Sequence, residues 1–258
     1  MQIPYPESTI PSHIVSGITR RKGKTVPGYR ETIMNPDMFQ QIALLILPVI
    51  IAITFHEAAH GFVAYACGDT TAKDQGRVTL NPLKHIDLFG TVIMPLLLIF
   101  TTGAMFGYAK PVPVNFRALR NPRRDMMLVA AAGPLMNFVL AFGFAILLRV
   151  YLTAAPEPEE FYANLFIRSV SLNVMLAVFN LIPFPPLDGS KVLAPLLPWS
   201  LARPYLALER FGMVLLLVLL FIVPIVLERN GSDFDIFGWL VIRPSQVVTN
   251  FILNLTGG

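Results

Sequence analysis

The chain has 258 residues, 54% of them hydrophobic and only 14% charged, which excludes an ordinary soluble domain. The net charge of +4 sits between long uncharged blocks, with no aromatic-interleaved basic stripe. That pattern suits an anionic membrane surface and argues against nucleic acid as a partner. The one cysteine, Cys67, excludes an intrachain disulfide framework and a cysteine-based zinc site.

Residues 1–37 are polar and proline-rich, carry Arg20, Arg21, Lys22 and Lys24, and read as a disordered or surface-associated tail with no cleavable signal peptide. A hydrocarbon core of roughly 30 Å takes about 20 apolar residues to cross as a helix, and several blocks approach that length. Segment A (41–67) is apolar up to Phe55 and is then broken by HEAAH. Segment B (88–106) is uncharged but holds Pro95 and Gly103. Segment C (126–148) has no charged residue at all, segment D (169–187) runs into IPFPPLDG, and segment E (211–227) is short and strongly apolar. From Ile236 onward, Trp239 and alternating polar residues suit an interfacial helix better than a span. Between the spans, RVTL (77–80) and PVPVNF (111–116) are β-prone and could pair as a short sheet near the membrane surface, with Pro111 and Pro113 suited to an edge strand. The expected fold is an all-α integral membrane protein, a polytopic helical bundle with a short membrane-associated β segment. Its parts are the tail (1–37), a membrane-embedded catalytic domain (38–230) and an interfacial C-terminal segment (231–258).

HEAAH (56–60) carries the chemistry. On a helix, residues four apart share a face, so His56 and His60 can reach one metal ion. Glu57 lies between them as the candidate general base for a water at that metal. Two neutral imidazoles and one carboxylate, with a fourth position open, are a common catalytic zinc set. Two histidines and a glutamate in an apolar helix cost several kcal/mol unless partners satisfy them, which favours a functional site over stray polar residues. A third ligand is needed. His85, in a polar loop, and Asp188, just after segment D, are the candidates, and an Asp-Gly pair also reads as a plain turn.

HEAAH in an apolar helix, AAGPLMN (131–137) in segment C and NLIPFPPLDG (180–189) at the end of segment D together resemble the site-2 protease family. These are intramembrane zinc metalloproteases that cut transmembrane or membrane-adjacent substrates. GDTTAKDQGRVTLNPLKHID and YAKPVPVNF resemble a compact bacterial branch without a PDZ domain, and no PDZ-sized insertion is present. The resemblance implies that His56, His60 and Asp188 bind Zn2+ and that Glu57 is the catalytic base. It places Asn180 near the substrate or oxyanion. Asn137 either joins the same cavity or packs beside Gly133 and Pro134. Implied partners are single-pass membrane-protein substrates and the lipid bilayer. The alternatives are a membrane metal-binding or transport protein and a catalytically silent homologue. A transporter would carry polar residues through several spans, whereas B, C and E are nearly bare. A silent homologue would have lost Glu57 or a ligand.

Ligands late in both A and D must lie at one membrane depth, so A and D run parallel. Two full crossings between them would make them antiparallel, so segment B is expected to turn back as a re-entrant hairpin. The loops on the catalytic face carry Lys73, Lys84, Arg117, Arg120 and Arg123, while the C–D loop holds Glu157, Glu159 and Glu160. By the positive-inside tendency, the catalytic face of this plasma-membrane protein points to the cytoplasm, although the basic tail would then lie outside.

Overall fold

The structure, a computed structural model, describes residues 36–94, 97, 107–232 and 234–257. The polar tail up to residue 35 lies outside the described residues. Among those described, four helices are long and apolar enough to cross a membrane: Phe39–Ala66, Pro122–Ala154, Glu160–Leu181 and Glu209–Arg229. They answer to segments A, C, D and E.

We number the helices α1 (Pro36–Ala66), α2 (Pro122–Ala154), α3 (Glu160–Leu181), α4 (Asp188–Leu193), α5 (Trp199–Ala207), α6 (Glu209–Leu217), α7 (Val223–Arg229) and α8 (Arg243–Thr256). A π turn, Val218–Ile222, joins α6 to α7. Without water, an apolar run must satisfy its backbone groups internally, and the helix does so within one segment. Helix α2 opens with Pro122 at its first position, where a missing N–H costs nothing. The preceding Asn121 N–H donates to Asp125 Oδ2 at 2.8 Å.

The buried stripe of α2 is Ala130, Gly133, Asn137, Ala141 and Ala145, recurring every three or four residues. Small side chains at that spacing let neighbouring helices approach closely, the main packing device where lipid offers no hydrophobic contrast. Helix α3 answers with Ser169, Val170, Asn173, Val174 and Ala177. Ala141, Ala145, Val170 and Val174 close into one core with Ile252 of α8. Large apolar residues such as Leu135, Val139 and Val214 are exposed, as a lipid-facing surface requires.

Side-chain contacts give the helix directions. His60 of α1 meets Val129 early in α2, and Ala52 of α1 meets Asn137 further along, so α1 and α2 are antiparallel. Asn137 meets Asn173, and the Tyr151 ring meets Tyr162, so α2 and α3 are antiparallel as well. Helices α1 and α3 are therefore parallel, and their C-terminal ends share one end of the bundle.

The long connection between α1 and α2 begins and ends at one point, where Arg120 N–H donates to Cys67 O at 3.0 Å. Inside it, Lys110 N–H donates to His85 O and Tyr108 N–H to Gly90 O, both at 3.0 Å. Thr91 Oγ1 donates to Tyr108 O at 2.9 Å. The chain at residues 85–91 thus lies beside the chain at residues 108–110. Pro95 and Gly103, where the hairpin was expected to bend, lie outside the described residues.

The expected β segment is not formed: the described residues contain no strand. Pro111 and Pro113 have no N–H to give a ladder, and side chains take the donors between and after them. Val112 N–H donates to Glu57 Oε2 at 2.8 Å and Asn115 N–H to Asp69 Oδ2 at 2.6 Å. Arg77 Nη2 donates to Lys110 O at 2.8 Å and reaches Pro111 O at 3.4 Å, so the 77–80 and 111–116 pieces are joined through a side chain. The C-terminal segment packs against the bundle. The Phe237 ring meets Phe179 late in α3, Ile252 enters the core, and Arg149 Nη1 donates to Thr256 O at 2.7 Å.

Single cysteines at Gln75, Arg117 and Glu157, introduced on a Cys67→Ser background, test this topology in oriented vesicles. An impermeant maleimide should label positions 75 and 117 from one side and 157 from the other. Labelling of 75 and 117 from opposite sides would contradict it.

Candidate metal centre

Helix α1 sets His56 and His60 one turn apart, with their Nε2 atoms 3.1 Å from each other. Asp188 Oδ2 lies 3.2 Å from His56 Nε2 and 3.3 Å from His60 Nε2. The chain brings Asp188 there by stopping α3 at Leu181, just before Pro183, and turning at once. Leu187 N–H donates to Phe184 O at 2.8 Å, and Ser190 Oγ closes on Leu187 O at 2.7 Å. Gly189 lies against the Leu181 and Ile182 carbonyls, in space a Cβ would occupy, so α4 can start directly under the end of α3.

The donor set fits a metal ion. Ligands at 2.0–2.1 Å in a tetrahedron lie about 3.3 Å apart, the spacing found here. The proton positions agree. His60 Nδ1 lies 2.7 Å from Val129 O, and a carbonyl can only accept, so that nitrogen donates. His56 Nδ1 lies 2.6 Å from Asn137 Oδ1 and donates likewise. With both rings neutral, the two Nε2 lone pairs converge on a carboxylate oxygen with no proton among them. A cation satisfies all three. Both histidines are buried, at 7% and 8% exposure, so water cannot take its place cheaply. Among the described residues, His56, His60 and Asp188 are the group that could hold a metal.

A cavity of about 620 Å³ opens beside this cluster, lined by His56, Glu57, Tyr108, Asn180 and Met213 among others. Glu57 is aimed by Val112, whose N–H holds Oε2 and leaves Oε1 for a second partner. Asn180 stands on the cavity wall, its Nδ2 donating to Leu176 O at 3.1 Å within its own helix. Lys191 Nζ pairs with Glu209 Oε1 at 2.9 Å, joining α4 to α6 across the same cavity.

Of the residues expected from sequence, His56, His60 and Asp188 meet in one cluster, and Glu57 and Asn180 share its cavity. His85, the other candidate third ligand, is buried elsewhere with Nε2 2.9 Å from Thr79 O. Asn137 does more than pack, since it holds His56. Asn173 was missed, although an asparagine within an apolar span was the signal. The backbone role of Val112 had no side-chain signal to find.

Gly133 explains part of AAGPLMN. A Cβ there would overlap His60 Nε2 and lie 2.6 Å from His56 Cε1. Gly143, on the same helix, faces open space. Gly133→Ala should displace the imidazoles, costing about 1–3 kcal/mol as overpacking does and lowering bound zinc. Gly143→Ala should leave both unchanged. Zinc analysis and thermal unfolding of the two variants check this.

The protein-family model described as peptidase family M50 matches residues 44–161. A Bacillus subtilis protein named "Putative zinc metalloprotease YwhC" is 42% identical over 185 residues, 70% of this chain and 81% of the relative. A Mycobacterium tuberculosis protein named "Putative zinc metalloprotease Rip2" is 30% identical over 244 residues, 91% of this chain and 88% of the relative. No solved structure gives a significant match. The family match covers His56 and His60 and ends before Asp188, while the relatives align over 70% and 91% of the chain, and the chain belongs to peptidase family M50, the site-2 protease family of metalloproteases.

Proposed function

We propose that this metalloprotease uses zinc to hydrolyse peptide bonds in or near the transmembrane segments of single-pass membrane proteins. The observation that carries the reading is the position of the donors. His56 and His60 lie inside the apolar span Phe39–Ala66, and the cavity beside them is walled by spanning helices. A site so placed suits a substrate that arrives through the bilayer. His56, His60 and Asp188 would hold the ion, and all three line the cavity.

Zinc, when bound, supplies Lewis-acid chemistry, making water acidic near neutral pH and polarising a carbonyl. The remaining work falls to this chain's residues. Glu57 Oε1, left free by the Val112 contact, takes a proton from the attacking water and returns it to the departing amine. Asn180, which also lines the cavity, can donate to the carbonyl oxygen as charge develops there, once its amide turns from Leu176 O. The cavity's apolar walls hold bulk water off. A helical substrate must unwind locally, because its carbonyls are engaged within the helix.

The charge pattern supports an orientation. Lys73, Lys84, Arg117, Arg120 and Arg123 gather at the end of the bundle that holds the site, and Glu157, Glu159 and Glu160 at the other. The catalytic end then faces the cytoplasm of a bacterial cell.

Glu57→Gln should retain zinc while cleavage falls at least about 100-fold, the scale of a lost general base. His60→Ala should lose the metal. In membrane proteomics, cells with Glu57→Gln should accumulate full-length single-pass proteins that the wild type shortens. Wild-type cleavage by Glu57→Gln would overturn the mechanism, and changes confined to soluble proteins would overturn the substrate class.

A further inference from the structure

We infer that Asn137 and Asn173 form a buried amide relay that fixes the tautomer and ring orientation of His56, making both positioning residues for the metal centre. The inference rests on the reading of His56 as a zinc ligand. Both asparagines have 0% exposure and sit within apolar spanning helices. A buried amide in such surroundings costs several kcal/mol unless its hydrogen bonds are made. Here they are made, and in one direction only.

The direction starts at a backbone carbonyl. Ser169 O accepts from Asn173 Nδ2 at 2.8 Å, so Asn173 Oδ1 points the other way. That oxygen accepts from Asn137 Nδ2 at 2.9 Å, and the same Nδ2 reaches Ala52 O at 3.3 Å. Asn137 Oδ1 is thereby turned to His56 and accepts from Nδ1 at 2.6 Å. Turning the Asn173 amide over would set its oxygen against Ser169 O and its NH2 against that of Asn137. Turning Asn137 over would set its oxygen against Asn173 Oδ1 and Ala52 O. It would also present an NH2 to His56 Nδ1, moving the ring proton to Nε2, where the metal must bind. Each link excludes the wrong state of the next.

His60 needs no such relay, because Val129 O is already a carbonyl with one possible role. The two imidazoles are thus set by different means. Helix α3 reaches the centre twice, through Asn173 behind His56 and through the turn that delivers Asp188. Partners that orient a metal-binding histidine typically contribute 10- to 100-fold to metal affinity.

The test uses the full chain purified in detergent, zinc competed against a chelator, and the visible d–d bands of the cobalt-substituted protein. Asn137→Leu should weaken zinc binding about 10- to 100-fold and shift the cobalt bands. Asn173→Leu, which acts only through Asn137, should weaken zinc less and shift the bands the same way. Asn173→Asp should restore both readouts, because a buried carboxyl there is protonated and can still donate to Ser169 O and accept from Asn137. Wild-type affinity and unchanged bands in both leucine variants would overturn the relay, as would equal impairment of Asn173→Asp and Asn173→Leu. Where Asn137→Leu does not fold, the Asn173 pair decides alone. Zinc retained at wild-type affinity by His56→Ala would instead defeat the ligand reading beneath the relay.

Discussion

A polar group inside an apolar bundle has no water to fall back on, and almost every feature of this chain follows from giving such groups partners. Three ligand side chains, a general-base candidate and two asparagines lie between helices that are predominantly apolar. Left unpaired, each would cost several kcal/mol. The fold pairs them in sequence: amide to carbonyl, imidazole to amide or carbonyl, and three lone-pair donors to a shared cation. The metal centre is the end of that chain of satisfied bonds.

Close approach of the helices makes the pairing possible. Gly133 lets α2 come against both imidazoles, and Gly189 lets α4 begin under α3. Ala130, Ala141 and Ala145 keep the rest of α2 near its neighbours. The small residues that read as helix-packing signals therefore also set the distances within the site. The connection from Cys67 to Arg120 contributes from outside the spans, delivering Val112 N–H to Glu57 and lining the cavity with Tyr108.

Much of this was legible because it is periodic. The spans follow from apolar length, and His56 and His60 from their i, i+4 spacing. Once both ligand-bearing spans had to run parallel, segment B had to return to the side it left. Asp188 was harder, since chemistry alone favoured it only modestly over His85, and the three ordered motifs decided between them. The β segment failed for a physical reason. RVTL and PVPVNF have strand composition, but Glu57, Asp69 and Arg77 take the backbone groups a ladder would need. Which side chain captures a backbone donor across fifty residues is a tertiary matter, invisible to local propensity. Asn173 was visible as a polar residue in a span, yet its partner and direction were not.

The account's central claim is that two imidazoles and one carboxylate, and no sulfur, bind zinc within the membrane domain. X-ray absorption at the zinc edge of the purified full chain tests it directly. The predicted result is nitrogen and oxygen scatterers at about 2.0–2.2 Å with the multiple scattering of two histidines. A sulfur shell near 2.3 Å, or a first shell of water alone, would contradict it.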